Sequence, residues 1–187
     1  MDKKKSFLSV SEMVEMALLL CLAIVLDLAG VKIGHAAFNM VPLFILAFRH
    51  GFIKSLLMIG CVYSFVNIAF DSWAVNPVSL IFDYVLGYGV ISLAGLFSKE
   101  IFVKKNKELF KVTYLISVIL ICSVLRLTFS SISGVILEYA PTFWLAFWLN
   151  LSIYVGWDCL LSLVMMLILY PTLKVINKRF PTKNLKI

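Results

Sequence analysis

The 187-residue chain is 62% hydrophobic and only 14% charged, whereas a soluble domain carries about 25% charged residues. That much apolar surface excludes a soluble globular fold and makes the bilayer the natural solvent. The formal charge of +7 is accounted for by where the basic residues fall, and does not indicate a nucleic-acid partner.

A spanning helix needs about 20 apolar residues. Apolar segments lie near 11–31, 36–49, 51–70, 77–98, 112–137 and 143–174. The expectation is one all-α, polytopic membrane domain over residues 1–187 with six transmembrane helices. Residues 1–10 read as a short cytoplasmic tail. Glu12, Glu15 and the lack of a small-x-small cleavage site argue against a secretory signal. The second segment is short, so it is expected to be tilted or only part-helical. The sixth is long, and its first turns are expected along the membrane surface. Cys21, Cys61, Cys122 and Cys159 each sit inside an apolar segment, without Cys-x-x-Cys spacing. They read as small buried hydrophobes, and no metal site is expected.

Orientation follows from the basic loops. Lys3, Lys4 and Lys5 precede the first helix, and Arg49 and Lys54 flank the turn between the second and third. Lys99, Lys104, Lys105, Lys107 and Lys111 fill the loop between the fourth and fifth. Lys174, Lys178, Arg179, Lys183 and Lys186 follow the sixth. A six-helix arrangement puts 15 of the 17 basic residues on one side, with Lys32 and Arg126 as exceptions. Positive loops stay inside, so both termini and the Ser98–Lys111 loop are expected in the cytoplasm of a cell-membrane protein.

Catalytic signatures are missing. There is no Gly-x-x-x-x-Gly-Lys-Ser/Thr, His-Glu-x-x-His or Gly-x-Ser-x-Gly run. His35 and His50 are expected on opposite sides of the membrane. No catalytic residue, resident cofactor or enzyme activity is predicted.

Four ionisable groups fall inside the apolar segments: Asp27, Asp83, Arg126 and Asp158. Each costs roughly 2.5–3.5 kcal/mol in lipid on insertion scales, so each is expected to face protein or water. At ~1.5 Å per residue, Asp27 lies ~24 Å and Arg126 ~21 Å from the inner edge, and Asp83 lies ~9 Å below the outer edge. The four therefore share the outward half, three acids to one base. A site there is expected to favour a cation, or to pair Arg126 with one acid and leave another free. Tyr84, Tyr88 and Tyr139 are expected near Asp83. Phe143, Trp144, Phe147, Trp148, Tyr154 and Trp157 crowd the same half, as an interfacial belt or as faces for a flat cationic ring.

Several runs together carry a resemblance. They are Ala17 through Asp27, Gly34 through Met40-Val41-Pro42-Leu43, and Phe48-Arg49-His50-Gly51. Asn76-Pro77-Val78-Ser79-Leu80-Ile81-Phe82-Asp83-Tyr84 is followed by Leu93-Ala94-Gly95-Leu96-Phe97. Leu125-Arg126, Ser133-Gly134-Val135, Tyr139-Ala140-Pro141 and Asn150 complete the set. In order and spacing the chain resembles the S components, the membrane-embedded substrate-binding subunits of energy-coupling factor (ECF) transporters. The thiamine-specific branch is the nearest. The resemblance implies an S-component fold with both ends inside and a pocket for thiamine or a related heteroaromatic vitamin at the outer face. It also implies docking on a transmembrane coupling (T) subunit driven by two cytoplasmic ATPases.

On that reading Asp83 is the main polar anchor, at the family's acidic position before Tyr. Tyr84, Ser130, Trp148, Asn150, Tyr154 and Arg126 surround it. Ala17 and Cys21 resemble the family's Ala-x-x-x-Ala docking patch on the first helix, with Cys in the second place. One departure bears on the substrate: thiamine-specific members carry His four residues before the Gly of the Ser-Gly pair, and here Ser130 stands there. The alternative from another class is a membrane scaffold like the cell-shape proteins of the rod system. A scaffold needs no polar pocket.

Overall fold

The structure, a computed structural model, describes residues 9–29, 32–33, 36–70, 76–77, 80–137 and 139–185. Lys3, Lys4, Lys5, His35, Val78, Ser79 and Lys186, used in the sequence reading, lie outside them.

Among the described residues six helices follow one another: α1 Val10–Leu28, α2 Met40–His50, α3 Phe52–Phe70, α4 Leu80–Phe102, α5 Glu108–Ile136 and α6 Phe143–Arg179. Between α1 and α2 lies a small antiparallel ribbon, β1 Lys32–Ile33 with β2 Ala36–Ala37, pairing Lys32 with Ala37 and Ile33 with Ala36. This corrects two sequence boundaries. The first helix stops at Leu28 instead of reaching residue 31, and the second begins at Met40 instead of 36. The cause is hydrogen bonding: the ribbon takes the backbone groups that an apolar run alone assigns to helix.

Helix α1 starts with a capping box. The Ser9 hydroxyl accepts from the Glu12 N–H at 3.3 Å, and the Glu12 carboxylate accepts from the Ser9 N–H at 3.2 Å. Its buried face is Met16, Leu20 and Ala23, at the spacing of one helical stripe. Ala17 and Cys21 lie on the exposed side.

The four helices α3 to α6 are long and apolar enough to cross a membrane. α2 is not: 11 residues rise only ~16 Å, about half of the ~30 Å hydrocarbon core. Instead α2 is the centre of the bundle, with ten of its residues buried. Phe44, Phe48 and Leu43 meet Ile59 and Tyr63 of α3, Ile91 and Ala94 of α4, Ile119 of α5 and Met166 of α6 in one core. Cys122 belongs to this core, but Cys21 and Cys61 are exposed on α1 and α3. The expectation of four buried thiols therefore holds for Cys122 and fails for those two, whose surroundings are the outer faces of membrane helices.

The α2–α3 turn is tight. Gly51 sits at φ +79°, a conformation that glycine adopts without steric cost. Gly95 of α4 lies against this turn so closely that a Cβ there would stand 2.5 Å from the Gly51 carbonyl carbon.

The same end holds a buried charge network. Arg49, 4% exposed, grips the Glu15 carboxylate with two nitrogens, donates to Asn177 Oδ1 at 2.5 Å and reaches the Phe180 carbonyl at 3.4 Å. Thr182 donates to the Arg49 carbonyl. Lys54 pairs with Glu12 at 2.9 Å, and the Lys183 N–H donates to Glu12 at 2.8 Å. The residues after α6 are thus pinned back onto α1 and α2.

Candidate functional site

At the opposite end of the bundle, the polar side chains of the apolar helices converge. On α5, Arg126 and Ser130 are four residues apart and share a face. Ser130 Oγ donates to Asp83 Oδ1 of α4 at 2.5 Å. Arg126 pairs with Asp158 of α6 at 3.2 Å, and its guanidinium lies 4.5 Å from the centroid of the Tyr88 ring. Arg126 also contacts Met40 Sδ at 3.3 Å. Gly87 lies beside Arg126, and a Cβ there would crowd the Phe82 carbonyl oxygen at 3.2 Å while only touching Arg126 Cγ at 4.0 Å.

Asp158 is buried, and its other oxygen accepts the Ala37 N–H at 2.8 Å. One carboxylate thus ties α6 to α5 and to the ribbon. Arg126 thus forms an ion pair with Asp158, while the Ser130 hydroxyl donates to Asp83.

A second branch runs through aromatic rings. Tyr88 packs edge-on against Tyr63 at 4.9 Å and lies 6.4 Å from Tyr84. The buried Tyr63 hydroxyl donates to Asp27 at 3.0 Å and accepts from Asn39 at 3.0 Å. Asn67 also donates to Asp27 at 3.0 Å. Asp27 is therefore part of a hydrogen-bonded cluster and not merely an interfacial acid.

The backbone is unusual here. α3 is π-helical over Leu56–Tyr63, α4 over Leu80–Leu86 and α6 over Leu151–Val155. The wider turn shifts side chains relative to an α-helix, and such stretches recur at functional sites. Asp83, Tyr84, Tyr63 and Tyr154 all lie in them.

The predicted site residues divide accordingly. Asp83 and Ser130 meet directly, Tyr84 stands beside Tyr88, and Arg126 crosses Tyr88. Asn150 lies where α6 crosses α5: a Cβ on Gly134 would be 3.9 Å from its Nδ2. Trp148 and Tyr154 are 61% and 54% exposed on the outer side of α6, as are Trp144 and Trp157, in keeping with an aromatic belt. Tyr139 is likewise exposed. The sequence reading missed Tyr63, Asn39 and Asn67. An Asn four residues after a Tyr inside the apolar α3 was the available signal. A cavity of about 550 Å³ between α5 and α6 is lined by residues such as Leu120, Leu127, Val155 and Leu163, and none of the charged residues above lines it. Among the described residues no group of His, Cys, Asp and Glu is arranged to hold a metal.

The balance is three carboxylates to one guanidinium, next to tyrosine rings and inside apolar helices. Chemically this favours a cation with a flat ring over an anion. These features define a polytopic helical membrane protein with a cluster of polar and charged side chains held between its helices.

Comparison with known proteins narrows the class. A family model described as "Thiamine transporter protein" matches residues 13–179. Over 141 residues the chain is 30% identical to "Thiamine transporter ThiT" of Bacillus subtilis (strain 168), covering 69% of this chain and 72% of that protein. The chain belongs to the thiamine transporter family, and is a membrane transport protein, not an enzyme. No solved structure matches it.

Proposed function

We propose that this chain is the substrate-binding S component of an ECF-type importer in the cell membrane, and that it binds thiamine through Asp83. The carrying observation is the half-buried Asp83 carboxylate, held by Ser130 beside Tyr84 and Tyr88, in a chain of the thiamine transporter family. Thiamine offers a fixed positive charge and two flat rings. A carboxylate in a poorly solvated site attracts the charge, and tyrosine faces accept the rings. Arg126 is already neutralised by Asp158, so it does not cancel the Asp83 charge. Ser130 in place of His keeps a hydroxyl on the carboxylate and leaves the ring contacts to the tyrosines, with Asn150 completing the site at the α5–α6 crossing when ligand is bound.

The topology that goes with this reading has six membrane-inserted helices and both termini in the cytoplasm, supported by the one-sided basic residues. Energy comes from a transmembrane coupling subunit and two cytoplasmic ATPases, consistent with a chain that has no phosphate-binding loop. The exposed Ala17 and Cys21 on α1 are the docking patch, because small residues let a partner helix approach closely.

The test is calorimetric titration of the detergent-purified subunit with thiamine, its pyrimidine precursor and unrelated vitamins, with mass spectrometry of co-purifying small molecules. Saturable one-site binding that prefers thiamine is expected. A monodisperse subunit that ignores thiamine overturns the assignment.

A further inference from the structure

At the end of the bundle away from Asp83, a cavity of about 520 Å³ opens between the start of α3 and the end of α4. Its lining holds Lys54, Lys99 and Lys183, and no carboxylate. The acids beside it are both engaged: Glu12 by Lys54 and the Lys183 N–H, and Glu15 by Arg49. Among the described residues Lys99 pairs with no carboxylate, since the adjacent Glu100 is taken by Lys104.

The floor of the cavity is the N-terminus of α3. Gly51, the residue before it, supplies no side-chain cap, so the first N–H groups of this 19-residue helix present the positive end of its dipole. His50 lines the same cavity. It is 2% exposed, and neither ring nitrogen has a hydrogen-bond partner; the nearest charge is Glu15, 3.6 Å from Nε2. A buried imidazole without a hydrogen bond is costly unless something fills the space beside it.

The rim is apolar. Ile53 and Leu96 are 62% and 57% exposed at its edge. Cations and backbone donors at the bottom, with bare aliphatic side chains beside them, match a phosphate that carries hydrocarbon.

We propose that this cavity binds the phosphate headgroup of an anionic glycerophospholipid, with the acyl chains running along Ile53 and Leu96. The phosphate sits on the α3 N-terminus between Lys54 and Lys99, and His50 donates to it. The lipid thereby bridges the α2–α3 turn and the end of α4.

The test uses the full-length subunit, delipidated in neutral detergent and then offered phosphatidylglycerol or phosphatidylcholine, with bound lipid counted by native mass spectrometry. Phosphatidylglycerol should be retained preferentially. Lys99→Gln should weaken its retention about fivefold, the effect of one surface lysine at an anionic headgroup. Lys105→Gln, in the loop beyond α4, should leave retention unchanged. Thiamine titration of each variant checks that it is folded. Equal retention of the two lipids, or equal loss in the two variants, overturns the site. Full displacement by millimolar inorganic phosphate shows a free-anion site instead, and overturns the lipid assignment.

Discussion

Replacing Asp83 with Asn removes one negative charge and almost nothing else. The two side chains have nearly the same shape, and the Asn carbonyl oxygen still accepts the Ser130 hydroxyl, so the 2.5 Å contact between α4 and α5 has a partner in the variant. The loss falls on the ligand. Two unit charges ~4 Å apart attract by ~4 kcal/mol at an effective dielectric of 20, and desolvation of both returns part of that. Hydrogen bonds to charged groups contribute a net of about 1.5–3 kcal/mol, which corresponds to thiamine binding weakened about 10- to 150-fold. The subunit should remain monodisperse with an unchanged or slightly raised melting temperature, since a half-buried charge has been removed without orphaning its partner. Titration followed by tryptophan emission, with gel filtration of the same sample, reads both quantities. Affinity within about threefold of the parent in a folded variant refutes the anchor role, and a variant that fails to fold makes Asp83 structural.

Further outcomes follow from other parts of the molecule. Arg126→Leu leaves the buried Asp158 with only the Ala37 N–H, and should cost about 3–5 kcal/mol in thermal unfolding; Arg126→Leu with Asp158→Asn should recover most of that loss, whereas simple additivity would show the pair to be uncoupled. Ala17→Trp should abolish thiamine uptake by cells while leaving binding to the isolated subunit intact, and uptake at the parental rate would remove α1 as the docking face. In a variant with the four native cysteines changed to Ser, Lys105→Cys should resist a membrane-impermeant maleimide applied to intact cells and react after permeabilisation. Labelling from outside would invert the topology.

Most helix positions were legible because lipid-exposed helices announce themselves as long apolar runs. The six segments all correspond to helices, and α3 and α5 lie within a few residues of their expected places. α2 shows where that logic changes meaning. Its apolar run is short because it is buried in protein, not because it is tilted in lipid. Hydrogen-bond register left no trace in hydropathy: the π-helical stretches and the two-residue ribbon are set by backbone geometry and packing. For the polar cluster, Asp83 and Arg126 were readable as charged residues where lipid penalises them, Tyr84 as the neighbour of Asp83, and Ser130 through the family resemblance. The choice of Asp158 as the partner of Arg126 was not, because it depends on how α5 and α6 cross. Trp148 and Tyr154 looked like inward-facing aromatics from their spacing, yet helical spacing identifies a face without saying which way it turns.

The shortness and burial of α2 have a consequence for biogenesis. With 11 residues, two of them Arg49 and His50 at one end, this segment is too short to partition into a bilayer alone. Gly51 joins it directly to α3 with no intervening loop, so the two enter as one hairpin, with α3 supplying the apolar length. Until α4 arrives Gly95 does not cover the turn, and until the end of α6 arrives Arg49 has Glu15 of α1 but neither Asn177 nor the Phe180 carbonyl. The segment at and after the end of α6 thus completes the surroundings of α2, and its packing onto Arg49, not the insertion of any single helix, closes this end of the bundle.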